Sequence, residues 1–437
     1  MKPEGNILAI VPPFAGREMA FLCVATLVPR LLLAMVLGVA GDPERWEYDV
    51  IAANIVSGHG PIYDREGFVY AAYAPPLWSY VLAFLLLLTG DSRVTIQIVQ
   101  AFLCLGTAVL TARIAHRISG DSRTAMLAGL LIALQPSLLY YSVVKSDPLP
   151  LNVLLLSGIA LAGLDLIESG DRRWAVAFGV LTGLGILSRG TPAVALLVVG
   201  IGLVVRWRAR AWSPLALAIL VCALSVSPWL ARNIAVIGWP LITSTTGENL
   251  WRGNHPGASG GVVDLDGGRI TLLIPSNPAL PAPIQSVLAT GTELDRHEAF
   301  MTEAWRFIAD DPWAATRLFA RKLRTFWWRV DSNPGDYPAL AARGYEWIFR
   351  VELVLGLLGA FLALRSPHSR AAAGLCVALI VAISLLQCAF YVQGRHRFLI
   401  EPLLLIFTAI GVGRLAELWS LRRRVVAVVA VGNGASR

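Results

Sequence analysis

Apolar stretches of about the length needed to cross a lipid bilayer recur from one end of this chain to the other. They fall at 19–40, 94–115, 124–141, 149–168, 174–188, 191–205, 212–231, 345–364, 371–392 and 398–418. A spanning helix needs about 20 apolar residues, and only 174–188 and 191–205 are short by that measure. Of the 437 residues, 56% are hydrophobic and 15% charged. That is too little charge to clothe a water-soluble surface of this size. The chain therefore reads as an all-α integral membrane bundle of about ten transmembrane helices. The first run is long and has no small-residue cleavage site, so it is expected to stay as an anchor.

The formal charge of +8 comes almost wholly from arginine, since lysine occurs only at Lys2, Lys145 and Lys322. The arginines flank the apolar runs and form no separate basic stripe, which argues against nucleic acid as a partner. They also orient the chain, because cytoplasmic loops collect Arg and Lys. The apolar stretch 75–89 has fifteen residues and opens on two prolines. It is read as an interfacial or re-entrant helix and not as a span. With it left out, His116, Arg117 and Arg123, then Arg172 and Arg173, the Arg206/Arg208/Arg210 cluster, Arg365 to Arg370 and Arg422 to Arg424 all fall on the cytoplasmic side.

Four segments then face the other side: 41–92, 142–148, the long loop 232–343, and 393–397, with Arg189 at the same face. This divides the chain into an N-terminal transmembrane catalytic module (1–231, with the acidic loop 41–92), the large outer loop (232–343) and C-terminal helices with a cytoplasmic tail (344–437). Within the large loop, a Gly-rich and a Pro-rich region precede 293–330. There Phe300, Trp305, Phe307, Leu318, Phe319, Phe326 and Trp327 alternate with basic residues, as in amphipathic helices lying on a membrane surface. The five cysteines all fall inside apolar runs and read as packing residues. No repeat of fixed period is present.

The candidate chemistry lies on that outer face. Asp42, Glu44, Glu47 and Asp49 crowd into the loop GDPERWEYDVIAANIVSGHG, with both glutamates expected near one helix face. Such acids also serve simply as helix-start charges. Asp147 either caps the helix beginning at Pro148 or belongs to a site. Arg189 and Arg232 close apolar helices, where snorkelling is the structural alternative. Arg395, His396 and Arg397 crowd together on a face that disfavours positive charge. Arg30 lies mid-span, where an ionisable group marks function unless it pairs with Glu352 or Glu401. His255 is the one histidine in a suggestive outer-loop setting, and it is a weak metal candidate. No phosphate-binding GxxxxGK[ST], HExxH or GxSxG motif is present. Guanidinium forks fit phosphate oxygens, and a carboxylate can take the proton of an attacking hydroxyl. Together they suit displacement of a lipid phosphate from a sugar. A transporter or flippase of an anionic lipid or lipid-linked sugar is the alternative, and inverted repeats would favour it.

In order along the chain these pieces resemble the GT-C class of membrane glycosyltransferases, in the branch of the protein O-mannosyltransferases and the lipid A aminoarabinose transferase. They are the loop D-x-x-E-Y-x-x-I-A-x-N-I, Pro75-Pro76-Leu77, P-x-L-x-x-x-S followed by Asp147, G-L-x-x-L-[ST]-[RK] ending at Arg189, P-x-x-x-R-N at Arg232, and R-x-R at Arg395 and Arg397. The resemblance implies inverting transfer of a hexosyl or pentosyl group from a polyprenyl-phosphate sugar to a hydroxyl of a glycan, lipid or protein. The reaction would face the periplasm or exterior of the cytoplasmic membrane. The implied roles are Glu44 with Glu47 as catalytic acids, Tyr48, Asp147 and His255 as substrate contacts, and Arg189, Arg232, Arg395 and Arg397 around the donor phosphate. Glu44 stands where the family usually has Asp, and Ala74 where the aminoarabinose branch has Lys. No protein-bound metal or cofactor is assigned beyond the lipid-linked donor, although the resemblance leaves a divalent cation open. Membrane lipids are the remaining partner.

Overall fold

The computed structural model describes residues 16–261, 273–329 and 339–434. Its N-terminal half runs α1 (Gly16–Val36), α2 (Glu47–Val56), a hairpin of β1 (Tyr63–Arg65) and β2 (Phe68–Tyr70), α3 (Pro76–Thr89), α4 (Arg93–Ser119), α5 (Ser122–Ala133), α6 (Pro136–Val144), α7 (Leu149–Ser169), α8 (Arg172–Ser188), α9 (Val194–Trp207) and α10 (Trp212–Ile237). Four shorter helices follow, α11 (Thr246–Gly253), α12 (Ala282–Thr290), α13 (Glu293–Asp310) and α14 (Pro312–Trp328). The chain closes with α15 (Ala339–Arg365), α16 (Arg370–Ala389), α17 (Gly394–Arg397) and α18 (Glu401–Gly434).

Among the described residues, seven helical stretches are long and apolar enough to cross a membrane, and eight if the bent pair α5/α6 forms one crossing. The difference from ten runs has two sources. Helix α8 has only 17 residues, and the stretch Thr191–Ile237 is continuous over 47 residues. At 1.5 Å per residue such a stretch would be about 70 Å long, twice what a bilayer needs. Packing shows that it folds back. Gly179 and Gly183 of α8 abut Ala218 and Ser225 of α10 in that order, so α8 and α10 run parallel. Gly163 of α7 meets Val199, and Ile167 meets Gly202, so α9 runs parallel to α7 and opposite to its neighbours. The reversal falls at Arg208, whose φ of 51° is in the left-handed region. The stretch Thr191–Ile237 is therefore two antiparallel legs. Among the described residues α3, with 14 residues, is an apolar helix shorter than those that pass as spans.

The turns at the end of the bundle far from α2 share one local grammar. Ser119-Gly120-Asp121 and Ser169-Gly170-Asp171 each end one helix on a left-handed glycine (φ 69° and 64°). The aspartate then caps the next helix, with Asp121 Oδ2 accepting from Thr124 N at 2.8 Å and Asp171 Oδ1 from Arg173 N at 3.0 Å.

Arg30 is buried but finds neither Glu352 nor Glu401. Its Nη1 donates to Thr26 O (2.7 Å) and Ala133 O (2.9 Å), and Nε donates to Ser142 Oγ (2.9 Å). The reason is local. Pro136 breaks the α5/α6 leg, and a carbonyl freed at membrane depth must be satisfied from within the protein. The same break serves both glutamates: Gln135 Nε2 donates to Glu352 at 3.2 Å and Ser137 Oγ donates to Glu401 at 2.6 Å. Arg30 is thus a structural pin between α1 and the broken leg.

Helices α13 and α14 are the amphipathic pair expected over 293–330, with Trp305, Trp313 and Trp328 exposed. A capping box starts α13, in which Thr292 N donates to Asp295 Oδ2 at 2.8 Å. Lys322 of α14 is buried and donates to Gly253 O (3.1 Å) and Asn254 Oδ1 (2.9 Å). Burial lowers its pKa to about 8. It ties the large loop to the turn after α16, where Asn254 Nδ2 also donates to Ala389 O at 2.8 Å.

Candidate active site

Four segments meet at one end of the bundle: the start of α2, the turn between α6 and α7, the residue after α8, and the link from α16 to α18. The first two are clipped together. Glu44 N donates to Val144 O at 2.7 Å and Ser146 N donates to Glu44 O at 2.9 Å, a short parallel bridge. Lys145 closes it, with Nζ 3.3 Å from Glu44 Oε2 and 4.5 Å from the centre of the Trp46 ring. Gln100 fixes the turn itself, donating to Lys145 O (2.9 Å) while its Oε1 accepts from Asp147 N (3.0 Å).

The two glutamates do not share a helix face, as the loop sequence suggests they should. Helix α2 begins at Glu47 behind an extended Trp46 (φ −132°, ψ −170°), and Glu44 lies before it in the bridge. Its side chain is half exposed. Glu47 enters the cluster instead. Burial raises its pKa above the ordinary carboxylate value, Asp147 adds to the rise, and Arg395 and Arg65 oppose it. Asp147 is raised for the same first reason, against Arg395, Arg189 and Lys145. It also caps α7, accepting from Leu149 N at 2.8 Å, so both readings of this residue hold. Tyr48 is raised by burial and by its neighbours Glu47 and Asp147.

The cations of the cluster are Arg189 and Arg395. Burial and then Arg395 hold the Arg189 guanidinium below its usual range. His396 is pushed well down, first by burial and then by Arg189 and Arg395. It is therefore neutral, with Nδ1 accepting from Gln393 N at 3.3 Å. Glu47, Tyr48, Asp147, Arg189, Tyr391 and Arg395 are all partly exposed. Among the described residues, neither the Arg189 nor the Arg395 side chain makes an ion pair within 4.0 Å. Two like charges held together with no direct counter-ion make a site for an anion.

Three expected members lie elsewhere. Arg232 spends its Nη1 on Ala71 O and Asn233 Oδ1, both at 2.7 Å. Arg397 is buried and donates to Tyr345 Oη (3.0 Å), Phe326 O (3.3 Å) and Arg329 O (3.0 Å). Both guanidiniums satisfy carbonyls that the bends of the chain leave open, which the spacing R-x-R cannot reveal. His255 stacks on Trp251 at 4.5 Å, with Nδ1 on Pro256 O at 2.8 Å. Asp42 pairs with Arg93 at the surface. Conversely, Lys145, Gln100, Tyr391 and His396 belong to the site or its support. The signal for Lys145 was available: it is the one lysine between Lys2 and Lys322, two residues before Asp147.

No group of three or more His, Cys, Asp or Glu is placed to hold a metal among the described residues. The carboxylates nearest the site, Glu47 and Asp147, face two guanidiniums. That charge pattern suits an anion and does not fit a divalent cation, so no step is derived through one.

Residues 73–231 match the family described as dolichyl-phosphate-mannose-protein mannosyltransferase. No curated protein matches the chain. In fold the chain is similar to the archaeal oligosaccharyltransferase AglB from Archaeoglobus fulgidus, solved with an inhibitory peptide and a dolichol-phosphate (TM-score 0.54, 13% identity, 94% of this chain and 51% of that one). It is similar in the same degree to an Archaeoglobus fulgidus oligosaccharyltransferase solved with Zn and sulfate (TM-score 0.55, 12% identity, 95% and 51%). ArnT from Cupriavidus metallidurans aligns more loosely (TM-score 0.41, 17% identity, 91% and 78%). The chain spans about half the length of the oligosaccharyltransferases it matches. The fold is that of the GT-C membrane glycosyltransferases. Within that class, the sequence likeness is to the mannosyltransferase family and is confined to 73–231.

Proposed function

We propose that the protein is a membrane glycosyltransferase that moves a sugar from a polyprenyl-phosphate donor to a hydroxyl acceptor at the non-cytoplasmic face of the cytoplasmic membrane. The observation that carries this is the pairing of Arg189 and Arg395, two partly buried guanidiniums with no ion pair of their own beside two carboxylates. The dolichyl-phosphate donor in the name of the matching family and the dolichol-phosphate in the AglB complex support the lipid phosphate as the anion. The arginine distribution supports the sidedness.

In this reading the acceptor oxygen attacks the anomeric carbon and its proton passes to a first-loop carboxylate. The bond from that carbon to the phosphate oxygen breaks, and its electron pair leaves on the polyprenyl phosphate. Arg189 and Arg395 hold that phosphate and stabilise the charge it gains. Glu47 takes the proton, because a carboxyl raised by burial is a better base near neutral pH than one held in an ion pair. Glu44, bound to Lys145, fixes the loop, and Asp147 and Tyr48 orient the substrates. Attack opposite the departing phosphate makes the transfer inverting.

Purified protein in detergent, given a polyprenyl-phosphate-linked sugar and an extract of envelope acceptors, is expected to release free polyprenyl phosphate with transfer of the sugar. Failure to consume any lipid-linked donor in one mixed compartment, alongside uptake in sealed vesicles, would sink the proposal in favour of a transporter.

A further inference from the structure

The side chain of Arg395 has no fixed partner. Among the described residues its guanidinium makes no hydrogen bond and no ion pair within 4.0 Å. Its place is therefore set by the backbone that carries it, the link 390–400 between α16 and α18. Within that link α17 has only four residues, and so short a helix does not hold itself.

Helix α14 of the large loop grips the link at both ends. At the first end, the buried Lys322 gives its three ammonium protons to three oxygens: Gly253 O (3.1 Å), Asn254 Oδ1 (2.9 Å) and Ala389 O (3.4 Å). Asn254 Nδ2 donates to the same Ala389 O at 2.8 Å, and Val392 N donates to Gly260 O at 2.8 Å. The backbones are in close contact here. A Cβ on Gly253 would lie 2.4 Å from Tyr391 N, and one on Gly260 would lie 2.5 Å from Lys322 Cγ. At the other end, Arg397 Nη1 donates to Phe326 O (3.3 Å) and to Arg329 O (3.0 Å), while its Nε donates to Tyr345 Oη (3.0 Å). Arg395 lies between the two grips, six residues after Ala389 and two before Arg397.

Both grips use a cation where packing alone would not call for one. Lys322 and Arg397 are each 1% exposed, and neither forms an ion pair among the described residues. Taking such a charge out of water is costly, and an apolar side chain of the same volume would fill either place at less cost. What the cations supply is direction. Each joins acceptors from separate segments in one geometry, so the link cannot slide along α14.

We infer that Lys322 and Arg397 are positioning residues that fix Arg395 through the backbone of the link, so that the large outer loop sets where this guanidinium stands. The consequence for the donor phosphate rests on the glycosyltransferase reading above, whereas the splint itself does not. Arg397 thereby acts through Arg395 and not by contact with the donor.

The test uses the full-length protein in detergent, with hydrogen exchange of the backbone and undecaprenyl phosphate as the binding probe. Lys322→Met keeps the length of the side chain and loses its three hydrogen bonds, and Arg397→Lys keeps the charge and loses the fork. Exchange over 390–397 is expected to quicken about tenfold in each variant, with α7 and α10 unchanged as the sign that the bundle is folded. Undecaprenyl phosphate binding should weaken about 5- to 20-fold in each, as expected for a misplaced binding group. The decisive comparison is a double-variant cycle. In an Arg395→Ala background Lys322→Met should cost no further affinity, because the residue it positions is gone. Arg321→Ala, on the exposed face of the same helix, should change neither exchange nor binding. Wild-type exchange over the link in both variants overturns the inference, and so does a Lys322→Met penalty that persists undiminished without Arg395. If Lys322→Met does not fold, Asn254→Ala, which removes one acceptor and the clip to Ala389, enters the same cycle. A loosened link in the variants of a protein whose wild type binds no undecaprenyl phosphate would uphold the splint and strike the donor reading instead.

Discussion

Lys145 Nζ lies 3.3 Å from Glu44 Oε2, and the backbones of the same two residues form a parallel bridge. One contact thus joins the acidic first loop to the turn that carries Asp147, across five intervening helices in sequence. The lysine is buried against Trp46, Tyr140 and Tyr141, so its place is fixed. The register of both acids depends on it.

Glu47→Gln is expected to keep the fold and undecaprenyl phosphate binding and to lower the transfer rate by about 10²- to 10⁴-fold, since an amide cannot accept the acceptor proton. Glu44→Gln should cost less, because it only loosens the bridge to Lys145. Rates measured with both substrates in one detergent solution check this. The reverse ranking moves the base to Glu44, and full activity in the double variant removes catalysis from this loop.

Arg189→Ala should weaken donor use by about 10- to 150-fold, the loss of one charged contact to phosphate at about 1.5–3 kcal/mol. Arg189→Lys should recover only part of it, because lysine keeps the charge and loses the fork. Rates at subsaturating donor are the measurement. Equal activity of both variants with wild type would make Arg189 a snorkelling residue.

The pH dependence follows from Glu47. Its carboxyl is raised from 4.5 by burial, so the folded protein binds this proton more tightly than the unfolded chain does. The ionised group therefore opposes folding, and this cost disappears as pH falls through the folded value. Activity runs the other way, since the base must be ionised. The acid limb of the transfer rate should fall above pH 4.5, and Glu47→Gln should abolish that limb without lowering the melting temperature at pH 7. An acid limb below the ordinary carboxylate range would contradict the assignment.

Topology is open to a direct check. A reporter active only outside the cytoplasm should work when fused at Gly260 and fail when fused at Ser119 or Ser366. Activity at Ser119 would require α3 to span and would overturn the orientation drawn from the arginines.

What the sequence determined by itself was the solvent, and the proposed sidedness rests on it alone. Long apolar runs have one stable answer in lipid, a helix that satisfies its own backbone, and arginine at the turns sets which ends stay inside. These are properties of short segments, so they can be read one segment at a time. The long apolar helices, the short helix α3, the amphipathic pair α13/α14 and the cap at Asp147 were legible for this reason. Which charges meet was not legible. Arg189, Arg395 and Arg397 look alike as residues at helix ends. Only packing shows that Arg397 is taken up by Tyr345 and two carbonyls, whereas Arg189 and Arg395 stay partly exposed within each other's field. Glu44 and Glu47 were separated by where α2 starts, which is fixed by a backbone bridge to a segment about a hundred residues away. A guanidinium or carboxylate takes its role from whichever partner desolvates it or fails to, and that partner is set by contacts between distant segments. The sequence names the charged groups, and the tertiary structure decides which of them remain available to a substrate.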